Sequence, residues 1–255
     1  MIGKGKSISH TKASIEYGWN QEKDAEIVFT QNLAGETPKE ITDEFETIQS
    51  MNDNCERNTF SFVISPTIED GEKLTSKDLN KITDEFLKDL KLENHQAIAF
   101  VHNDKNHKHI HLYVNRIDFE GKAYNDSFIG KRSQKSAERV AEKMQLQTVK
   151  QVKEQKLEKV KDIRKFIKNK HELSFKSFHP KKYQNYIKEM GKFNIKVNPV
   201  INKKSDKLQG FRYQFKNVNL KGSDVHRSMS INKLNINYYK IAKTIIKQVS
   251  KGISI

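Results

Sequence analysis

Residues 100–115 read FVHNDKNHKHIHLYVN. Four of the chain's nine histidines, His102, His107, His109 and His111, fall in this stretch. Side chains along a strand alternate faces with period two. A strand over 108–117 therefore sets Ile110, Leu112 and Val114 on one face, and His109, His111, Tyr113 and Asn115 on the other. Residues 97–102 (AIAFVH) read as a preceding strand, and the short polar NDKNH between them reads as a hairpin connection. That hairpin brings His102 beside His109 and His111. Three neutral imidazoles converging in this way make a metal site with coordination positions left open for substrate. The bland alternative is a histidine-rich polar strand that binds nothing. A same-face pair with a third histidine at hairpin distance argues against it. His107 shares the parity of the pair but sits nearer the turn. Asp104 is placed to orient a ligand imidazole, or equally to bond nearby backbone as a turn residue. Asn115 is a further candidate to orient the site.

Upstream, Thr37-Pro38-Lys39-Glu40 reads as a capping box with proline at the first helical position. Ile41, Phe45, Ile48 and Met51 continue at helical spacing. Thr59 to Ser65 (TFSFVIS) is a strand stopped by Pro66. Thr75 or Ser76 caps a second helix with Leu79, Ile82, Phe86 and Leu90 on one face. The order of helices and strands, ending in a β-hairpin, predicts an α+β fold with a central antiparallel β-sheet flanked by helices. Residues 133–170 form a helical pattern without Gly or Pro, one long helix or two in series. A helix over 181–190, a hairpin of 193–201 with 210–215, and a final helix over 234–249 complete the expectation. No internal repeat and no glycine-rich phosphate loop is present.

Composition narrows the function. The chain has 255 residues, 35% of them hydrophobic and 31% charged. No apolar run is long enough to span a membrane, no signal-peptide core opens the chain, and Cys55 is the single cysteine. These features predict a cytoplasmic protein without membrane insertion and without disulfides. The formal net charge of +15 is unevenly spread. Residues 1–127 carry 15 Lys and Arg against 23 Asp and Glu, whereas residues 128–255 carry 32 against 9. A second half so basic points to a polyanion, with a merely solvated lysine-rich surface as the plain alternative. Aromatic and basic residues interleave at Phe211, Arg212, Tyr213 and Phe215. Arg212 and Tyr213 are candidates for DNA contact, one to phosphate and one by stacking on bases. Packing across the hairpin is the competing role.

The pattern H-x-D-x4-H-x-H from His102 to His111, followed by a strand ending in Val-Asn, resembles motif III of the MOB-type relaxases that mobilise plasmids and conjugative elements. These belong to the HUH endonuclease superfamily, named for two histidines flanking a hydrophobic residue, here His109-Ile110-His111. Residues 9–20 (SHTKASIEYGWN) resemble relaxase motif I, in which a helix delivers a nucleophilic tyrosine; Tyr17 holds that place, with Gly18 where the family usually has leucine. TFSFVISP resembles the motif between them. The resemblance covers residues 1–130, expected to form the catalytic core, with 131–255 as a basic, largely helical DNA-binding part.

The resemblance implies a DNA relaxase that nicks single-stranded DNA at a transfer origin. It implies attack by Tyr17, a covalent 5′-phosphotyrosine, and a divalent Mg or Mn ion at His102, His109 and His111. Single-stranded and hairpin origin DNA, and accessory mobilisation and coupling proteins, are the implied partners. Rolling-circle replication initiators and transposases share this chemistry, but the spacing upstream of His109 leans toward a relaxase. The stretch HKHIHLYV is similar to the histidine-triad nucleotide hydrolases, though Lys108 stands at one of their hydrophobic positions. A non-catalytic DNA-binding module with a structural metal would normally close its site with four ligands, and Cys55 lies far away in sequence.

Overall fold

The computed structural model describes residues 1–19, 25–102, 107–178, 183–202, 205 and 207–234. Asp104 and the helix expected over 234–249 lie outside the described residues, the helix except for its first residue. The chain divides into two compact units, Met1–Val152 and Lys153–Ile255.

In the first unit the elements run β1 (Ile2–Ile8), α1 (Thr11–Gly18), β2 (Glu26–Gln31), α2 (Pro38–Gln49), β3 (Thr59–Ser65), α3 (Ile68–Gly71), α4 (Ser76–Leu90), β4 (Ala97–His102), β5 (His109–Asn115) and α5 (Ile129–Lys143). The five strands form one sheet in the order β1-β3-β5-β4-β2, every pairing antiparallel. The expected fold class is therefore observed, and the histidine strands β4 and β5 stand inside the sheet.

Both faces of the sheet are covered. Phe60, Phe62 and Ile64 of β3 and Ile110, Leu112 and Val114 of β5 face Leu79, Ile82 and Phe86 of α4 and Ala137 and Val140 of α5. On the opposite face, Ile98, Phe100 and Tyr113 pack with Ile15 of α1 and Ile41 and Phe45 of α2. Local sequence fixes the helix starts. Thr37 and Thr75 each close a reciprocal capping box, with Glu40 and Asp78 respectively. The expected boundary at 130/131 falls inside α5, which begins at Ile129 and packs on β1 within the first unit. The approach is close: a Cβ on Gly3 would lie 2.4 Å from the Ser133 carbonyl oxygen, and one on Gly5 would lie 2.2 Å from Ser133 Oγ.

The helical run expected over 133–170 is broken into α5, α6 (Val149–Glu158) and α7 (Lys161–Phe178). Helix α5 ends where Gln145 adopts a left-handed φ of 58° and the Leu146 amide bonds back to Ala141, a terminus usually built on glycine. The division between the units falls within α6. The second unit continues with α7, α8 (Tyr183–Gly191) and a three-stranded antiparallel sheet of β6 (Lys196–Ile201), β7 (Leu208–Phe215) and β8 (Val218–Lys221), then the short α9 (Gly222–Val225). Its core joins Ile167, Tyr186, Met190, Val197, Phe211 and Tyr213. Among the described residues no helix is long and apolar enough to cross a membrane.

Candidate metal centre

The β4–β5 register sets His102 directly opposite His109 and Phe100 opposite His111. The three imidazoles therefore share one face at the hairpin end of the sheet. Their ring centroids lie 4.4 Å apart for His102–His111, 5.1 Å for His109–His111 and 6.2 Å for His102–His109. One ligand nitrogen from each lies within 4.8 Å of the others. His102 is fully buried, His109 nearly so, and His111 half-buried.

Two of the rings are held by backbone carbonyls. His102 Nε2 lies 3.0 Å from the Gly18 carbonyl oxygen, and His109 Nδ1 lies 3.0 Å from that of His107. A carbonyl only accepts, so each of these nitrogens carries its proton. That leaves the lone pairs on His102 Nδ1 and His109 Nε2, the arrangement typical of metal-ligating histidines. His102 Nδ1 is buried and has no hydrogen-bond partner among the described residues. A buried polar nitrogen left in this state costs about 1–3 kcal/mol. A metal ion would satisfy it, and three neutral imidazoles suit a divalent transition metal such as Mn better than Mg, which prefers oxygen. The residues present thus fit the implied ion.

Tyr17 sits in the last turn of α1. Its ring centroid is 5.6 Å from those of both His102 and His111, and its side chain is 45% exposed. Three contacts fix this helix. Thr11 at its start bonds Thr59 at 2.6 Å and Gln49 at 3.2 Å. Ile15 is buried against the sheet. At its end Gly18 packs so tightly that a Cβ there would stand 2.4 Å from the Phe100 ring. A leucine at that position would collide with the Phe100 ring, so glycine is what lets the end of α1 sit against the sheet.

The sheet also brings to this face Lys4 and Lys6, which sequence reading passed over. Across β5, β3 and β1 the register aligns His111, Val63 and Lys4 in one row and Tyr113, Ser61 and Lys6 in the next. Lys4 and Lys6 are exposed, and Ser61 and Val63 are half-buried. A shallow cationic track therefore runs from the histidines to the sheet edge. The alternation Gly3-Lys4-Gly5-Lys6 is its only signal in the sequence.

Other expected residues are placed elsewhere. Tyr113 is buried in the core, where desolvation, with Tyr17 nearby, pushes its phenol well above its ordinary range. Asn115 lies at the far end of β5. Its amide donates to the Phe45 carbonyl at 3.1 Å and Gln96 Oε1 at 2.8 Å, and its oxygen accepts from the Ile117 amide. The imidazole of His107 is exposed, and its backbone carbonyl is what serves His109. In the second unit, Arg212 lies on the open face of the sheet. Tyr213 is fully buried, bonded to the Tyr186 hydroxyl at 3.1 Å, and does not reach the surface.

A search of curated proteins gives no match. The family model described as Relaxase: MobA/VirD2-like, nuclease domain, matches residues 17–146. That span runs from the tyrosine beside the histidines, through both histidine strands, to the end of α5, and covers half of the chain. The chain therefore belongs to the MobA/VirD2-like relaxases, a family of DNA-nicking nucleases.

Proposed function

We propose that this relaxase cleaves one strand at a transfer origin by in-line attack of the Tyr17 hydroxyl on a phosphodiester of single-stranded DNA. The bond formed is Tyr17 Oη–P, and the bond broken releases a free 3′-hydroxyl, leaving a 5′-phosphotyrosine. The phosphodiester energy is kept, so the reverse attack by a 3′-hydroxyl rejoins the strand without ATP. The observation that carries this reading is the position of Tyr17, 5.6 Å by ring centroid from both His102 and His111.

His102, His109 and His111 would hold a Mg or Mn ion. When bound, it would neutralise charge on a non-bridging oxygen of the scissile phosphate. A tyrosine hydroxyl is a weak nucleophile until a base or a nearby positive field activates it. The end of α1 supports that role, because the carbonyl holding His102 belongs to the residue after Tyr17. Lys4 and Lys6 would guide the strand across β1 and β3 toward the tyrosine by phosphate contact, which positions DNA without reading sequence. The second unit, with 26 Lys and Arg against 7 Asp and Glu over residues 153–255, would supply most of the salt-dependent grip on origin DNA.

The direct test uses a single-stranded origin oligonucleotide with Mn²⁺. An SDS-stable protein–DNA adduct is expected from the wild type and none from Tyr17→Phe. An adduct that persists in Tyr17→Phe overturns the nucleophile, and cleavage that survives chelation overturns the metal centre.

A further inference from the structure

The three-stranded sheet of the second unit has two unlike faces. Val197, Phe211 and Tyr213 point inward to the core. On the other face the register aligns Asn198, Arg212 and Lys221 in one cross-strand row, and Lys196, Gln214 and Asn219 in the next. All six side chains are exposed or half-buried. Three are cations and three are amides, with no carboxylate among them. Arg212 is held in place: its Nε donates to Asn219 Oδ1 at 2.9 Å and one Nη donates to the Asn219 carbonyl at 2.8 Å. The two lysines stand at opposite corners of the patch.

We propose that this face binds duplex DNA, entering the major groove with Arg212, Asn198 and Gln214 toward the base edges and Lys196 and Lys221 toward phosphates. The proposal rests on the reading of DNA as the substrate and adds a division of labour to it: the nuclease unit takes the single strand, and the sheet face takes adjoining duplex. Dimensions agree. Strands lie about 4.8 Å apart and a major groove about 12 Å wide admits a two-stranded ribbon, so β6 and β7 can enter while β8 carries Lys221 at the phosphate backbone. Chemistry agrees as well. Guanidinium and carboxamide groups match the hydrogen-bonding edges of guanine and adenine. Single strands are instead gripped by aromatic platforms on which bases stack. The aromatics of this sheet face the other way: Phe211 stacks on Tyr183, Phe215 stacks on Phe166, and Tyr213 is fully buried.

The test uses the full chain and two probes, a random-sequence duplex pool of about two helical turns and single-stranded oligothymidine. Rounds of selection with the wild type are expected to enrich a duplex motif. Arg212→Ala should weaken binding to the enriched duplex roughly tenfold or more and leave oligothymidine binding unchanged. Gln214→Ala should relax the preference at one base step with little loss of overall affinity. Should Arg212→Ala melt early by circular dichroism, Gln214→Ala and Lys196→Ala, both exposed, carry the test. Failure to enrich any duplex motif, or equal weakening toward both probes, overturns the proposal. Adduct formation by Tyr17 is measured in parallel. Duplex selectivity without an adduct sinks the nuclease reading alone, and an adduct without duplex selectivity sinks this proposal alone.

Discussion

The Nε2–H of His102 donates to the carbonyl oxygen of Gly18, 3.0 Å away. One hydrogen bond thus ties the most buried imidazole of the cluster to the residue that follows Tyr17. The contact needs α1 close to β4, and Gly18 permits it because no Cβ stands against Phe100. Gly18→Ala is therefore expected to displace the end of α1. Overpacking of this kind costs about 1–3 kcal/mol, and loss of the carbonyl partner should weaken metal binding roughly tenfold to a hundredfold. Thermal unfolding and Mn²⁺ titration measure the two effects. A variant that keeps wild-type metal affinity would show that the carbonyl does not position His102.

His107 and His109 separate a ligand from a neighbour. His107 serves through its backbone carbonyl and its ring is exposed. His107→Ala should leave Mn²⁺ affinity at the wild-type level, whereas His109→Ala should abolish measurable binding. Calorimetric titration distinguishes them, and an equal loss in both would make His107 a ligand.

Asn115 supports the fold at the other end of the same strand. It lies four residues from His111, about 13 Å along β5, and joins Phe45, Gln96 and Ile117. Asn115→Ala leaves buried backbone groups unsatisfied and should cost on the order of 2–3 kcal/mol, read as a lowered denaturant midpoint. Cleavage per folded molecule should stay at the wild-type level. A fall in cleavage without a fall in stability would return Asn115 to the site.

These outcomes follow the line between what sequence showed and what it hid. Strand β5 was legible because Ile110, Leu112 and Val114 lie on one face and His109 and His111 on the other, so period two stood out, and the wholly apolar run before His102 marked its partner β4. Strand β1 was hidden because its inward residues are Gly3 and Gly5, leaving the strand without apolar alternation where α5 presses against it. The end of α5 was hidden for a related reason: Gln145 takes a left-handed conformation that glycine usually marks. Parity placed Tyr113 and Asn115 correctly on the histidine face. It gave no warning that α1 and α2 pack over Ile98, Phe100 and Tyr113 on that face while the histidine end stays open. Tyr213 shows the same gap in the second unit, since alternation separates two faces but does not say which one the helices bury.

His171 makes the stability of the second unit depend on pH. It is buried beside the Tyr186 hydroxyl at 2.9 Å. Desolvation lowers its pKa from 6.5 to about 4, with Glu172 opposing and His226 adding to the shift. The folded ring therefore refuses a proton that the unfolded chain accepts between those values. Stability should fall as pH drops through 6.5 and level off below about 4, by no more than about 3 kcal/mol. His171→Gln, which does not titrate, should flatten the profile. His95 shifts in the same direction for the same first cause, so the difference between wild type and variant isolates His171. Parallel profiles in the two proteins would remove His171 as the source.

Lys4 and Lys6 test the strand path into the nuclease unit. Both are exposed on an edge strand, in register with the rows that contain His111 and Tyr113. Their replacement by alanine should change stability by no more than about 0.5 kcal/mol. Each phosphate contact to a single strand contributes about 0.7 to the slope of log affinity against log salt. The double variant Lys4→Ala/Lys6→Ala should therefore lose about 1.4 of that slope toward oligothymidine if both lysines meet phosphate. Cleavage at saturating DNA should be preserved, because neither lysine touches Tyr17 or the histidines in the register. An unchanged salt slope would mean the strand enters by another route. A matching loss of cleavage at saturation would mean the lysines act on the reacting phosphate itself rather than on the path toward it.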